Sequence, residues 1–213
     1  MKVISVCVGL PEIVQTSEDG FVTTAIFKKP MEGRVRVGQL NLAGDRQADL
    51  SVHGGPSKSV YVYPGEHYEK WLTEIPGHRF ETANFGENLT TAGLLETDVF
   101  IGDKFRIGTA EFAVTEPRMP CYKLGIRFGR KDILRRFLQS RRSGFYLTVL
   151  KTGDLEAGDD IELLSQDQNR VSVLDIVNLY VADKHNTETI RRALDLEFLP
   201  EKWKATFRQR LVD

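Results

Sequence analysis

The chain has 213 residues, of which 41% are hydrophobic, and this suits one ordinary domain with a small addition. Its 29 basic and 30 acidic residues leave a formal net charge of −1, so bulk electrostatics favours neither nucleic acid nor an anionic membrane as a partner. No apolar stretch reaches the roughly 18 residues of a transmembrane helix, and the N-terminus lacks a signal-peptide pattern. We therefore expect a cytoplasmic protein.

Residue types that bind metals are scarce in this chain. Cys7 and Cys121 are the only cysteines, and the four histidines show no HExxH spacing. Protein-bound iron–sulfur clusters and structural zinc sites usually need a full set of closely spaced Cys or His ligands. These two kinds of centre are therefore excluded, and electrons used by this chain would have to come from another protein.

Up to about residue 164, short runs rich in β-branched and aromatic residues are separated by glycine turns, which is typical of a barrel or a sandwich. In chain order, the predicted elements are strands over residues 3–8, 21–27 and 59–63, a helix over 66–75, strands over 105–107 and 111–115, a helix over 131–139, and strands over 145–150 and 161–163. Both helices are predicted from apolar side chains at i, i+3, i+4 and i+7. We expect a mainly β domain over residues 1–164.

The composition changes at residues 165–169, a polar run typical of a linker. Three short helices are predicted after it: one capped by Ser172 and Asp175, one capped by Asn186, and one with Pro200 at its first position. Eight basic and eight acidic residues balance over 166–213, which argues against a DNA-binding module. We expect residues 165–213 to form a small three-helix extension used for docking or support.

Cys121 lies at the end of the most informative run, EPRMPCYK at residues 116–123. The two prolines predict a stiff, extended loop. Arg118 and Lys123 are close in sequence, and nearby cations favour the thiolate, which attacks electrophiles and binds soft metals. The alternative is a small buried side chain, which is the interpretation we give to Cys7 in its β-prone run.

A second candidate segment runs from residue 44 to residue 58, GDRQADLSVHGGPSK. Its adjacent Gly54 and Gly55 allow backbone N–H groups to converge on an anion, with Arg46 and Lys58 adding charge. The segment is not a Walker A loop. The alternatives are a plain surface turn and, for His53, a structural hydrogen bond.

A third segment, NFGENLT at residues 84–90, contains Glu87 and Asn88. Their side chains could accept hydrogen bonds from a heterocycle edge and donate to it. Asn88 could equally stabilise a turn, which is the commoner use.

Several motifs in order resemble MOSC domains, the C-terminal domains of molybdenum-cofactor sulfurases. They are GD at 44–45, HGG at 53–55, FGENL at 85–89, GD at 102–103 and PRMPC at 117–121. CYKL at 121–124 and the last helices resemble the stand-alone YiiM type. The resemblance implies a MOSC-type β-barrel with a few short helices and a C-terminal three-helix extension. It also implies that Cys121 ligates molybdenum, in a protein that reduces N-hydroxylated compounds such as 6-N-hydroxylaminopurine.

The leading hypothesis is therefore an oxidoreductase that carries the molybdenum cofactor and removes oxygen from N-hydroxylated substrates, with electrons from a separate reductase. The expected cofactor-binding residues are Arg46, His53, Gly54, Gly55, Lys58, Glu87, Asn88, Arg118 and Lys123, and Cys121 is both the catalytic residue and the metal ligand. Two alternatives stay open: a carrier of persulfide sulfur on Cys121, and a carrier of the cofactor without turnover. The sequence leaves the oligomeric state open, a homodimer included.

Overall fold

The computed structural model describes residues 1–16, 20–51 and 53–211, and these form twelve β-strands and six α-helices. The strands are β1 (Lys2–Val8), β2 (Glu12–Gln15), β3 (Phe21–Thr24), β4 (Lys29–Pro30), β5 (Val35–Val37), β6 (Val60–Pro64), β7 (Leu89–Ala92), β8 (Lys104–Ile107), β9 (Ala110–Pro117), β10 (Phe145–Lys151), β11 (Gly153–Leu155) and β12 (Ile161–Ser165). The helices are α1 (Glu66–Glu74), α2 (Tyr122–Phe128), α3 (Ile133–Ser140), α4 (Val173–Val181), α5 (Thr187–Leu194) and α6 (Glu201–Gln209). A 3₁₀ turn, Pro56–Lys58, precedes β6. No helix within the described ranges is long and apolar enough to cross a membrane.

One mixed sheet of eight strands dominates the fold, in the order β12-β8-β9-β10-β6-β7-β1-β4. Its neighbours are antiparallel except for β6 and β7, which are parallel. The start of β1 approaches β12 through a single bridge between Lys2 and Asp160, and the ladder does not continue from it. The predicted sheet-dominated fold is confirmed, whereas a closed barrel is not found among the described residues.

The strands predicted from the sequence are all present, and their differences from the prediction have local causes. β3 ends at Thr24 rather than at residue 27, because the Thr24 hydroxyl accepts the Ile26 N–H at 3.2 Å and competes with the sheet for that donor. β2, β4, β5, β7 and β11 were not predicted, since each has four residues or fewer and shows too little alternation.

The predicted helices are also present, and the structure adds α2 directly after Cys121. The stiff loop expected at the two prolines therefore ends at Cys121. The sequence did not predict α2, because so short a helix buries only two apolar side chains, Leu124 and Phe128. The capping box of Ser172 and Asp175 is confirmed. Pro200 occupies the N-cap position rather than the first helical position.

The buried side chains form two clusters. The larger one joins the inner face of the sheet to α4, α5 and α6, so that Leu196, Trp203 and Phe207 pack in the same core as Phe112 and Val114. The smaller one is rich in aromatic rings and lies between α1, α2 and α3. The C-terminal helices therefore share their core with the sheet whose strand β9 leads to Cys121.

Candidate functional site

Cys121 opens onto a cleft of about 650 Å³, solvent included, which we call the Cys121 cleft. Four chain segments contribute to its lining: the end of β3 and the residues after it, the loop before β6, the residues before β7, and the segment joining β9 to α2. Tyr61 of β6 and Tyr146 of β10 complete it. Five cationic side chains line it: Lys28, Arg46, Lys58, Arg118 and Lys123. No carboxylate is among the described residues that line it. Such a surface favours an anionic ligand.

The Cys121 thiol is prepared for ionisation by its surroundings. Cys121 is the N-cap of α2 and is partly exposed. Burial raises the pKa of the thiol, but a hydrogen bond from the His53 side chain, the charges of Arg118 and His53, and the Lys123 backbone N–H together lower it from 9.0 to about 7. A large fraction of the thiol is therefore thiolate at neutral pH. Cys7 is the opposite case, since burial raises its pKa to about 11.

Arg118 is the most deeply placed cation of the cleft, with 5% of its surface exposed. Its guanidinium carbon lies 5.5 Å from the Tyr61 ring centroid and 5.0 Å from that of Phe137, distances at which cation–π attraction operates. Its Nη1 is buried and has no hydrogen-bond partner in the described part of the chain. A buried unpaired donor is costly, so a ligand that accepts its hydrogen bond would be bound favourably.

Lys28 is one cation of the cleft whose charge is already neutralised. Its ammonium group forms a short ion pair with Asp45, and their side chains are 8% and 0% exposed. The Gly9 N–H also donates to Asp45 Oδ1 at 2.9 Å. By contrast, Arg46, Arg118 and Lys123 form no ion pair within residues 1–16, 20–51 and 53–211. Two of these three cations, Arg118 and Lys123, flank Cys121 in the sequence.

The glycine pair has the conformation that its sequence predicts. Gly54 and Gly55 have φ of +85° and +84°, a region that favours glycine. A Cβ on Gly54 would also lie 3.0 Å from Gln47 Oε1. The 3₁₀ turn begins just after the pair and brings Lys58 to the cleft. Val52, within the predicted segment, lies outside the described residues.

Glu87 and Asn88 make their hydrogen bonds to the chain itself. The buried Glu87 carboxylate accepts a short hydrogen bond from the Tyr68 hydroxyl and others from Thr90 Oγ1 and the Phe85 N–H, both at 3.1 Å. Burial raises its pKa. The Asn88 amide accepts the Tyr61 N–H and donates to the Cys7 carbonyl, both at 3.1 Å.

Most of the residues expected from the sequence meet at one place. The structure brings these to the cleft: Arg46, His53, Gly54, Lys58, Asn88, Arg118, Cys121 and Lys123. Gly55 and Glu87 are adjacent to it but do not line it. Sequence reasoning missed Lys28, Tyr61 and Tyr146, because in sequence they belong to predicted strands or their ends and look like ordinary sheet residues. The Gly44–Asp45 motif was the one available signal for the Lys28 pair.

The donor set tests whether a metal cofactor fits. No group of three or more His, Cys, Asp or Glu side chains within the described ranges is arranged to hold a metal ion. A metal held by Cys121 would have to bring its remaining ligands with it. One soft thiolate, a buried unpaired guanidinium and further cations fit a polyanionic cofactor with a soft, sulfur-ligated metal.

Comparison with known proteins gives similarity over the sheet and the C-terminal helices alike. The family model of the MOSC domain matches residues 49–162, and that of the YiiM-like, 3-alpha helix domain matches residues 171–212. The uncharacterized protein YflK of Bacillus subtilis (strain 168) is 41% identical over 207 residues, 97% of this chain and 92% of YflK. A protein named reductase from Gibberella moniliformis is 36% identical over 160 residues, 74% of this chain and 28% of that protein. The crystal structure of YiiM from Geobacillus stearothermophilus is 32% identical, with a TM-score of 0.82 covering 99% of this chain and 98% of that one.

Proposed function

Because this chain belongs to the MOSC domain family and ends in a YiiM-like three-helix domain, we propose that it binds the molybdenum cofactor and reduces N-hydroxylated compounds. 6-N-hydroxylaminopurine is the substrate by which we would test it. The observation that carries the proposal is the Cys121 thiol, whose pKa is about 7, in a cleft with five cations and no carboxylate in its described lining. The relative named reductase supports an enzyme rather than a passive binding protein.

Each part of the cleft has a role in this proposal. The Cys121 thiolate ligates molybdenum, and Arg46, Lys58, Arg118 and Lys123 hold the anionic groups of the cofactor. When bound, the cofactor supplies two-electron oxygen-atom transfer. Arg118 contributes a guanidinium charge that lies close to the Tyr61 and Phe137 rings, and a buried Nη1 donor without a partner in the described part of the chain.

The remaining residues act on the shape of the cleft. His53 lowers the pKa of the Cys121 thiol and so favours the thiolate form. Gly54 and Gly55 leave room for an anion close to the backbone. Glu87 and Asn88 hold the wall of the cleft from behind, since their hydrogen bonds go to Tyr68, Thr90 and backbone groups.

Reduction of each N–OH group to an N–H group requires two electrons and two protons, and it releases one water molecule. With only two cysteines, the chain cannot build an iron–sulfur relay of its own. We therefore propose that a separate reductase in the cytoplasm supplies the electrons.

The test is molybdenum content and turnover in protein purified from a host that makes the cofactor. Elemental analysis should find molybdenum, and a chemical reductant should support reduction of 6-N-hydroxylaminopurine. Cys121→Ser should lose both while remaining folded, because its side chain is not part of the core. Cys7→Ala, at the other cysteine, should keep both. Folded Cys121→Ser protein that retains molybdenum and turnover would refute the proposal.

The same protein preparations also distinguish the two alternative functions. A thiol with a pKa of about 7 also suits sulfur transfer, and a persulfide on Cys121 in metal-free protein, seen by mass spectrometry, would favour that function. Tight binding of the cofactor without turnover of any N-hydroxylated compound would favour a carrier.

A further inference from the structure

Glu116 is a buried carboxylate that connects the C-terminal helices to the loop of the Cys121 cleft. Its Oε2 accepts the Trp203 Nε1–H of α6 at 2.8 Å. Its Oε1 accepts the Ser57 hydroxyl, in the 3₁₀ turn after the glycine pair, at 3.1 Å. Glu116 does not itself line the cleft. One carboxylate thus joins two segments that are far apart in sequence.

Ser57 is held a second time by the neighbouring residue of β9. The Thr115 hydroxyl lies 2.6 Å from the Ser57 carbonyl oxygen and 3.1 Å from that of Tyr146. Both the side chain and the backbone of Ser57 are therefore fixed to the end of β9, the strand that leads to Arg118 and Cys121. Lys58, the next residue, lines the cleft.

Trp203 is itself fixed by the packing of the C-terminal helices. It is 4% exposed, and its ring lies 5.7 Å from that of Tyr180 and 5.9 Å from that of Phe207. Its N–H is a donor that a buried carboxylate needs, because an unsatisfied buried acceptor is costly. The direction of the Glu116 carboxylate therefore depends on where α6 places the indole.

We propose that Trp203 and Glu116 are positioning residues of the Cys121 cleft, and that the three-helix domain serves the site by holding its glycine-rich loop through them. Without the Trp203 hydrogen bond, Glu116 would be free to turn away from Ser57. The loop that carries Lys58, and before it His53, would then lose the hydrogen bond between Ser57 and Glu116 that attaches it to β9. The inference rests on the proposed function only for the identity of the ligand. The reactivity of the Cys121 thiol tests the positioning role independently of that ligand.

The experiment measures the alkylation rate of Cys121 by iodoacetamide against pH in metal-free protein. Trp203→Phe keeps an aromatic ring and removes the N–H, and Ser57→Ala removes the other donor to Glu116. Each should raise the apparent pKa of Cys121, through a weakened His53 contact, and slow alkylation at pH 7 by about threefold or more. The double variant should be no slower than the slower single variant, because both changes break one connection.

Two matched controls separate positioning from general loss of stability. Thr206→Ala lies on α6 and removes only a hydroxyl that bonds its own helix, so it should leave the pH profile unchanged. Ile190→Val, on α5, should lower stability, since Ile190 is fully buried, and still leave the profile unchanged. The inference is overturned if Trp203→Phe or Ser57→Ala leaves the profile unchanged, if Ile190→Val shifts it equally, or if the two effects add. Should Trp203→Phe fail to fold, the half-buried Ser57 decides the matter by itself. Neither molybdenum nor turnover enters the measurement, so failure of the proposed function is detected separately.

Discussion

His53 and Cys121 both line the Cys121 cleft, and the His53 side chain lowers the pKa of the Cys121 thiol. This influence of the glycine-rich loop on the N-terminus of α2 is the largest of those that lower the pKa of the thiol against the effect of burial. The reactivity of Cys121 is therefore a property of two segments brought together, and it can be measured without knowledge of the ligand.

We expect the alkylation rate of Cys121 to follow its thiolate fraction. Because the pKa is lowered from 9.0 to about 7, the rate should fall roughly tenfold for each pH unit below 7 and level off above pH 8. His53→Phe should move the midpoint upward and slow alkylation at pH 6, and His53→Gln, which keeps a donor, should restore part of the rate. A midpoint that stays near 7 in His53→Phe would contradict the assignment.

Arg118→Met should remove the charge while keeping a side chain of similar length. Loss of the nearby positive charge should raise the pKa of Cys121, and loss of the buried Nη1 donor should reduce molybdenum content. Loss of the contacts with Tyr61 and Phe137 should cost about 1–2 kcal/mol of unfolding free energy. Molybdenum analysis, alkylation and urea unfolding check the three effects.

The control for Arg118 is Arg127→Met. Arg127 lies over the Phe27 ring at 4.9 Å and near Glu81, so this variant also loses a guanidinium–ring contact, away from the cleft lining. It should keep its molybdenum and the reactivity of Cys121. Equal loss of molybdenum in both variants would count against a specific role of Arg118.

Asp45→Asn should destabilise the fold by about 3–5 kcal/mol at neutral pH, because it leaves Lys28 charged and buried without its partner. The double variant Lys28→Met, Asp45→Asn should recover much of that loss, since no charge then remains buried at this place. Urea unfolding of the wild type, both single variants and the double variant gives the coupling. A single variant as stable as the wild type would show that the pair is not desolvated in solution.

Glu87→Gln separates support of the cleft from direct contact with the cofactor. A glutamine offers one acceptor oxygen and a donor group where Glu87 accepts from three donors, so we expect a loss of about 1–3 kcal/mol in unfolding free energy. Molybdenum content and Cys121 reactivity should be close to those of the wild type in the folded fraction. A stable variant that loses molybdenum would instead indicate direct cofactor binding by Glu87.

Local features of the sequence were sufficient to find the centre of the candidate site. Cys121, Arg118 and Lys123 lie within one short run, and neighbours so close along the chain are close in space in almost any fold. Gly54 and Gly55 were identified for a similar reason, since the positive φ that they adopt is a property of single residues. The capping box at Ser172 was readable because it spans one helical turn.

Partnerships between distant segments were not readable from the sequence. Lys28 pairs with Asp45, His53 acts on Cys121, and Trp203 pairs with Glu116. Apart from the Gly44–Asp45 motif, no local signal in the sequence marks these partnerships. Glu87 looked free to bind a ligand because the residues that satisfy it come partly from α1.

The sequence by itself determined which chemical groups are present: one thiol among cations, a glycine pair, and too few cysteines for a cluster. Only the tertiary structure decided which of these groups are still available to a ligand. The reason is that charge and hydrogen-bond pairing depend on which strands become neighbours. In a sheet that places β10 between β9 and β6, those neighbours do not follow the order of the chain.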